Sequence, residues 1–229
     1  MKKIILAAVL IFSAGAFITT TTTSCTTLAT SDLGLAVIKR VLTGGVNKAS
    51  GIFSNKQAFL QNDLILKALP DNLRSVYNTL DRIAPNLTTK GKEYVAETAA
   101  YTVNISTPIL NNAINNLNAN DVTRIMQGGD GIATQILREK TEIQLVQAIM
   151  PKVDEKLNEF GIVRTINTAL QGNSLLGSLL GNQSSTGAAS NSLSKLASEQ
   201  MVNGIFYIMA DYENQNRSSI LGAFNRSGQ

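Results

Sequence analysis

The chain has 229 residues, of which 44% are hydrophobic and 16% charged, and its formal net charge is +4. This length suits one globular domain with or without a removable leader, and so small a positive charge argues against a nucleic-acid partner. Histidine is absent and cysteine occurs once, which excludes imidazole catalysis, His-ligated zinc and an intramolecular disulfide, so we expect no metal and no cofactor.

The N-terminal segment "MKKIILAAVLIFSAGAFI" has the pattern of a secretory signal, with two lysines followed by an apolar run. The run is shorter than the ~20 residues that a membrane-spanning helix needs. Two processing sites compete after it. The sequence "AGA" (Ala14–Ala16) fits ordinary signal peptidase, whereas "TTSC" (Thr22–Cys25) resembles a bacterial lipobox, with Thr22 where an aliphatic residue is usual.

The single cysteine decides between these two sites. An unpaired cysteine in an exported chain is a liability unless it is modified, so we favour the lipobox. Residues 1–24 are then a lipoprotein-type signal peptide, Cys25 is acylated and inserts its lipid into a membrane, and residues 25–32 form a tether. The alternative is that Cys25 is an incidental thiol in a flexible tail. No acidic residue follows Cys25 directly, which favours a periplasmic, outer-membrane lipoprotein.

From residue 33 onward, apolar residues recur at helical spacing and no stretch alternates as a strand does. A first helix is predicted over "LGLAVIKRVLTGGVNKASGIF", with a double glycine as a candidate break. A second over "AFLQNDLILKALP" ends at Pro70. A third, "DNLRSVYNTLDRIAP", precedes a long helix over residues 89–118, in which Pro108 predicts a kink or restart near Thr107.

The stretch "NANDVTRIMQGGD" contains the clearest helix boundaries in the chain. Asn118 followed by Asp121 predicts a cap with a returning acid, and Gly128 is the expected C-terminal residue with a positive φ. Asp130 is then expected to cap the helix "GIATQILREKTEIQLVQAIMP", whose core-facing residues are predicted as Ile132, Ile136, Ile143 and Val146.

The rest of the chain continues this pattern. Pro151 is predicted to end or kink its helix, and "KVDEKLNEFG" follows with Gly161 as its stop. Residues 172–191 are rich in Gly, Ser and Asn and are predicted to be a flexible insert before a closing helix. The fold class is therefore all-α, with residues 33–229 forming one compact domain of about eight to ten helices.

Charged and hydroxyl residues are densest around the double glycine. The candidate motif comprises Asp121, Gly128, Gly129, Asp130, Thr134, Arg138 and Thr141. One interpretation is an anion site at the start of the following helix, where backbone N–H groups favour negative charge. The favoured interpretation is a structural helix corner, in which Arg138 pairs with Asp130 or Asp121. The acids Asp154, Glu155 and Glu159 are expected to form a solvated face rather than a catalytic pair.

The segment "MQGGDGIATQILREKT" resembles the signature of a bacterial family called domain of unknown function 4197. Other segments match it in order, among them "AAYTVNISTPILNNAI", "MPKVDEKLNEFGIVR" and "NGIFYIMADYENQNR". The resemblance implies an exported, all-helical protein without an assigned activity, in which Asp130, Thr134, Arg138 and Thr141 match the motif. This chain differs from the family in its insert near residues 175–181 and in its less charged C-terminal end.

Two functional hypotheses remain. The first is a lipid-anchored envelope protein that binds an apolar ligand or a protein partner, with no catalytic residues. Small residues in "AETAAYTVN" (96–104) allow either an apolar cavity or, as we favour, close helix packing. The second is a carboxylate- and arginine-dependent enzyme acting on envelope material. That enzyme requires Asp130, Arg138 and either Asp121 or Glu139 to converge in one open cleft. The first hypothesis is preferred.

Overall fold

The computed structural model describes residues 32–71, 74, 78, 81–82, 85–159, 161 and 186–225. Eight helices account for almost all of these residues, and no strand occurs among them. This confirms the predicted all-α class. The predicted signal peptide, Cys25, nearly all of the tether, most of the third predicted helix and most of the insert lie outside the described residues.

The helices follow one another with short connections. In chain order they are α1 (Asp32–Ser54), α2 (Lys56–Leu60), α3 (Asp63–Ala68), α4 (Pro85–Asn115), α5 (Ala119–Gln127), α6 (Ile132–Glu159), α7 (Thr186–Gln215) and α8 (Arg217–Asn225). None of the helices in the described part of the chain is both long enough and apolar enough to cross a membrane. The second predicted helix is divided into α2 and α3, because Asn62 caps the start of α3 by accepting a hydrogen bond from the Leu64 N–H.

The four long helices, α1, α4, α6 and α7, form an antiparallel bundle in which α1 and α6 each pack on both α4 and α7. Side-chain contacts at two levels fix the direction of neighbouring helices. They are Lys39–Asn115 and Ser50–Thr107 between α1 and α4, Thr134–Glu213 and Arg138–Asn203 between α6 and α7, and Lys48–Asp211 and Phe53–Gly204 between α1 and α7. The ring closes because α7 returns to α1.

One apolar core runs through the bundle. Its largest fully buried side chains are Phe53, Ile38, Leu42, Leu110, Ile114, Ile125, Ile136, Leu137, Leu145, Ile149, Ile208 and Met209. Close packing of these side chains is the main source of stability for such a fold. Along α7 the apolar side chains differ in burial. Met201, Ile205 and Ile208 are buried, whereas Leu193 and Leu196 are only half-buried.

The small-residue face of α4 packs closely, as favoured from the sequence. Ala96, Ala99 and Thr102 are buried, and the Thr102 hydroxyl donates to the carbonyl of Ala99. Further along α4, the space between α1, α4 and α7 amounts to about 10 Å³ and is lined by Val103, Leu110 and other residues. That volume is close to the minimum for a single water molecule, so this face offers no room for an apolar ligand.

Both internal prolines lie within continuous helices. α4 passes through Pro108 and α6 passes through Pro151, so the predicted restart at Thr107 and end at Pro151 are wrong. Each proline is exposed, as is the residue four positions before it, Asn104 or Gln147. The carbonyl that loses its helical donor therefore lies on the solvent side, where water replaces the missing hydrogen bond.

Three further predictions differ from the structure. The double glycine does not interrupt α1; instead it allows close packing, since a Cβ on Gly44 would lie 2.6 Å from the Tyr212 ring. Ile143, predicted to face the core, is 75% exposed. Finally, α7 begins at Thr186, so residues 186–191 are helical although they were assigned to the flexible insert.

Candidate functional site

The candidate motif begins at α5, whose first turn forms the predicted capping box. The Asn118 side chain accepts from the Asp121 N–H, and the Asp121 carboxylate accepts from the Asn118 N–H, both at 3.0 Å. Asp121 is 4% exposed and also pairs with Lys140 on α6 at 3.0 Å. The carboxylate of Asp121 is therefore fully committed to joining α5 to α6.

The glycines after α5 have roles that differ from the prediction. Gly128 has a φ of −88°, so its expected positive φ is wrong. It is restricted sterically instead, because a Cβ there would lie 2.5 Å from Ile132. The left-handed residue is Gly131, with a φ of 71°. Gly129 lies between them with open space around it. The motif thus needs glycine at two positions for two separate reasons.

The N-terminus of α6 is capped by an acid from another helix, Glu213 of α7. Its carboxylate accepts hydrogen bonds from the N–H groups of Ala133 at 3.0 Å and Thr134 at 2.7 Å. Asp130, predicted as the cap, is exposed and has no hydrogen-bond partner among the described residues. The prediction was wrong because a sequence-local cap was assumed, whereas α7 lies antiparallel to α6 and brings an acid to the same donors.

Arg217 completes this corner. Its Nη2 donates to the Gly128 carbonyl, and its Nη1 lies 3.7 Å from the Glu213 carboxylate. The Glu213 side chain is 1% exposed and that of Arg217 is 13% exposed. A buried carboxylate is stable only when it is paired and hydrogen-bonded, and Arg217 together with the two N–H groups supplies these contacts. We call Gly128–Thr134, Glu213 and Arg217 the helix corner.

One hydroxyl of the motif is unpaired inside the helix corner. The Thr134 side-chain oxygen is buried and has no hydrogen-bond partner within the part of the chain that the structure describes. Thr141, two turns further on, is also buried, but its hydroxyl donates to the Leu137 carbonyl at 2.7 Å. The two threonines of the motif therefore face the protein interior.

Arg138 has a different environment from the rest of the motif. Its Nη2 donates to Glu142 at 2.6 Å and to the side-chain oxygen of Asn203 on α7. The guanidinium also lies over the Phe206 ring, 5.6 Å from its centroid. The predicted pairing with Asp130 or Asp121 is wrong, because Arg138 is more than one turn beyond the helix corner and points toward α7.

Arg138 lines an open groove of about 410 Å³ between α6, α7 and the chain that follows α3. We call it the basic groove, and its lining residues are Lys67, Ala68, Leu69, Pro70, Asp71, Arg74, Arg138, Asn203 and Tyr207. Three of these side chains are cationic. Arg74 is paired with Asp71 and Arg138 with Glu142, so Lys67 is the one lining cation without an ion-pair partner among the described residues. The groove is much larger than the space of about 10 Å³ between α1, α4 and α7.

Arg74 fixes the wall of the groove opposite Arg138. Its Nη2 donates to the carbonyls of Lys67 and Leu69, and its Nη1 donates to Asp71 at 3.2 Å. These contacts satisfy carbonyls at the end of α3, where a cation is favourable. The ion pair with Asp71 is exposed to solvent, since the Asp71 side chain is 97% exposed.

The residues required by the enzymatic hypothesis do not converge. Asp121 belongs to the capping box, Asp130 is solvent-exposed, and Glu139 pairs with Arg124 at 2.9 Å. None of these acids lines the basic groove, where Arg138 is the motif's one contribution. No group of three or more acids, histidines or cysteines suited to a metal ion occurs in the described ranges.

The acids near the end of α6 form ion pairs rather than an acid–base pair. Lys152 donates to Glu155 and Lys156 donates to Glu159, each at 2.6 Å, while Ser194 of α7 donates to Asp154. The hydrogen bond from Lys152 lowers the pKa of Glu155 below its ordinary value of 4.5. The hydrogen bond to Glu159 raises the pKa of Lys156 above 10.5. These shifts hold both pairs in their charged forms.

Sequence reasoning missed four residues that the structure brings to the motif. Glu213 and Arg217 complete the helix corner, and Asn203 and Lys67 belong to the basic groove. The first three lie in "NGIFYIMADYENQNR", which was matched to the family but not connected with the double-glycine segment. An acid and an arginine four residues apart near a helix end were the available signal.

The bundle and its acid-capped corner define an all-helical protein in which the double-glycine segment at the start of α6 contacts the C-terminal part of α7. The model of the family described as protein of unknown function (DUF4197) matches residues 28–226, and the chain belongs to this family. No curated protein and no solved structure matches the chain.

Proposed function

We propose that this protein is an exported, lipid-anchored protein of the bacterial envelope that binds its ligand in the basic groove. The support for export and anchoring is the N-terminal sequence, with its signal-like apolar run and a single cysteine at position 25. The helical domain begins at Asp32, seven residues after that cysteine. A short tether of this length would hold the bundle near the membrane surface.

The observation that carries the binding role is the way in which Arg138 is held. Glu142 and Asn203 fix one nitrogen of its guanidinium, Phe206 supports its face, and the groove remains open in front of it. A side chain so oriented before any ligand arrives loses little conformational freedom on binding. Polar lining of this kind favours a polar ligand over the apolar one first considered.

The groove's position along the bundle supports a ligand outside the anchoring membrane. Asn203 lies beside Gly204, where an added Cβ would be 3.1 Å from the Phe53 ring near the end of α1. Asp32 is at the opposite end of that helix, about 30 Å away for a helix of this length. An anchor at Cys25 would thus place the groove at the far end of the domain.

The anchor is tested by the intact mass of the protein extracted from membranes of cells expressing the full chain. Wild type should carry a diacylglycerol and acyl adduct on a chain starting at Cys25, and Cys25→Ala should lack it and leave the membrane fraction. A wild-type mass that matches cleavage after Ala16 without lipid would show that the anchor is wrong.

The binding role is tested separately by native mass spectrometry of the same preparation. We expect a co-purifying molecule that is retained by wild type and by Arg124→Ala, whose arginine lies outside the groove, and lost from Arg138→Ala. If wild type and both variants retained the molecule equally, the groove would not be its binding site.

A further inference from the structure

We infer that the helix corner binds one buried water molecule through the side chains of Thr134, Glu213 and Arg217. This site is separate from the basic groove, and the inference is independent of the proposed function. It is drawn from two buried polar atoms that have no hydrogen-bond partner among the described residues, Thr134 Oγ1 and Arg217 Nη1. Buried polar groups of folded proteins are nearly always hydrogen-bonded, either to protein or to ordered water.

The two unpartnered atoms lie on either side of one carboxylate. The Thr134 N–H donates to Glu213 Oε2 at 2.7 Å, and Thr134 Oγ1 is three covalent bonds from that nitrogen. Arg217 Nη1 lies 3.7 Å from Glu213 Oε1, which is longer than a direct hydrogen bond. One water molecule can join polar atoms up to about 6 Å apart, because each of its hydrogen bonds spans about 2.7–3.2 Å. The inferred water therefore lies beside this carboxylate.

The charges of the helix corner select a neutral ligand. Glu213 and Arg217 form a pair without net charge, and their side chains are only 1% and 13% exposed. An added anion would face the Glu213 carboxylate, and an added cation would face the Arg217 guanidinium. Water can accept from Arg217 Nη1, donate to Glu213 and pair with the Thr134 hydroxyl. Three hydrogen bonds are typical of a buried water molecule.

The turn before α6 leaves space beside this site. A Cβ on Gly131 would lie 3.6 Å from the Ala210 Cβ and 3.8 Å from Asn214 Oδ1, both on α7, and these are ordinary van der Waals distances. The turn and α7 are therefore separated by about the width of a methyl group where α6 begins. A space of this width accommodates a water molecule, so the corner is both polar and roomy enough, as a buried water site must be.

The direct test is a high-resolution crystal structure of the full-length protein, purified in detergent, and of two variants. For wild type we expect an electron-density peak within about 3.2 Å of both Thr134 Oγ1 and Arg217 Nη1. The peak should be lost in Thr134→Val, which keeps the side-chain shape and removes the hydroxyl. It should remain in Thr141→Val, the matched control, because the Thr141 hydroxyl is also buried on α6 but already donates to the Leu137 carbonyl.

The sign of a stability change gives a second readout. If water binds the Thr134 hydroxyl, Thr134→Val removes a hydrogen bond, and the melting temperature of the full-length protein should fall by about 2–4 °C. If the hydroxyl has no partner, the same substitution should leave the melting temperature unchanged or raise it, because burying an unpaired hydroxyl is unfavourable. That result, a wild-type structure without the peak, or loss of the peak in Thr141→Val would overturn the inference.

Discussion

The helix corner and the basic groove lie within about two turns of each other on α6, yet their charged groups differ in burial and in pairing. At the helix corner, the donors of the α6 N-terminus are satisfied by Glu213 from α7, and Arg217 balances that acid. At the groove, Arg138 and Arg74 form partly exposed ion pairs with Glu142 and Asp71, and Lys67 has no partner in the described part of the chain. The same pair of helices therefore builds one closed and one open electrostatic site.

This difference separates stability from binding within a single sequence motif. Removing a buried, paired charge leaves its partner uncompensated and destabilises the fold, whereas an exposed charge contributes little to stability. We therefore expect substitutions at the helix corner to change unfolding and those at the groove to change ligand affinity. The predictions below test this division, beginning with the largest expected effect.

Glu213→Ala should destabilise the protein by about 3–5 kcal/mol, because two buried N–H groups lose their acceptor and the Arg217 guanidinium loses its ion-pair partner. For a domain of this size the melting temperature should fall by about 6–20 °C. Thermal unfolding followed by circular dichroism measures it. Asp211→Ala on the same helix is the control: its ion pair with Lys48 is one-third exposed, and its loss should cost less than about 1 kcal/mol. Equal losses for the two variants would contradict the division.

Gly131→Ala should cost about 1–2 kcal/mol, because its φ of 71° is unfavourable for any residue with a Cβ. The neighbouring Gly129→Ala is matched to it, since a Cβ at position 129 meets nothing within 4 Å. Urea unfolding of both variants measures the difference in the free energy of unfolding. If Gly129→Ala were the more damaging change, the turn at the helix corner would not have the conformation described here.

Arg138→Ala should change the free energy of unfolding by less than about 1 kcal/mol, since the arginine's side chain is 34% exposed and that of its partner Glu142 is 40% exposed. Thermal unfolding measures it. The same substitution should release the molecule that co-purifies with wild type, so stability and affinity respond differently. Arg217→Ala is the converse control, because it should destabilise the fold and is not part of the groove lining. If Arg138→Ala destabilised the protein as much as Glu213→Ala does, the main role of Arg138 would be to stabilise the fold.

Much of the motif's local structure was predictable, because it depends on neighbouring residues. The capping box of Asn118 and Asp121 follows from their spacing and is confirmed, as is the stop at Gly161, which has a φ of 61°. Glu213 was not predictable in the same way. Its partners lie about eighty residues earlier in the chain, and only the antiparallel packing of α6 and α7 brings them within hydrogen-bond distance.

The errors at single residues have a related physical cause. Ile143 fits the apolar period of α6 but falls on its solvent side, since period alone does not specify which neighbouring helices cover a position. Pro108 was expected to kink or restart its helix, and Pro151 to end or kink its helix. Both helices continue through the prolines, because each proline occurs where the unpaired carbonyl can be hydrated. The basic groove was likewise unforeseen, because Lys67 and Arg138 belong to distant segments.

Removing an ion pair at the C-terminal end of α6 should have the smallest effect on stability. It serves as a reference for exposed charges. The hydrogen bond from Lys152 lowers the pKa of Glu155 in the folded protein, so this pair's stabilisation is present above about pH 4.5 and is lost as the pH falls through the folded-state pKa. Melting temperatures of wild type and Glu155→Gln, measured from neutral to acid pH, should therefore differ slightly at neutral pH and converge on acidification. Glu213→Ala should remain well below wild type over the upper part of the same range, since the α6 N-terminus then lacks its acceptor. A gap between wild type and Glu155→Gln that widened on acidification would mean that Glu155 stabilises the fold in its protonated form, contrary to its pairing with Lys152.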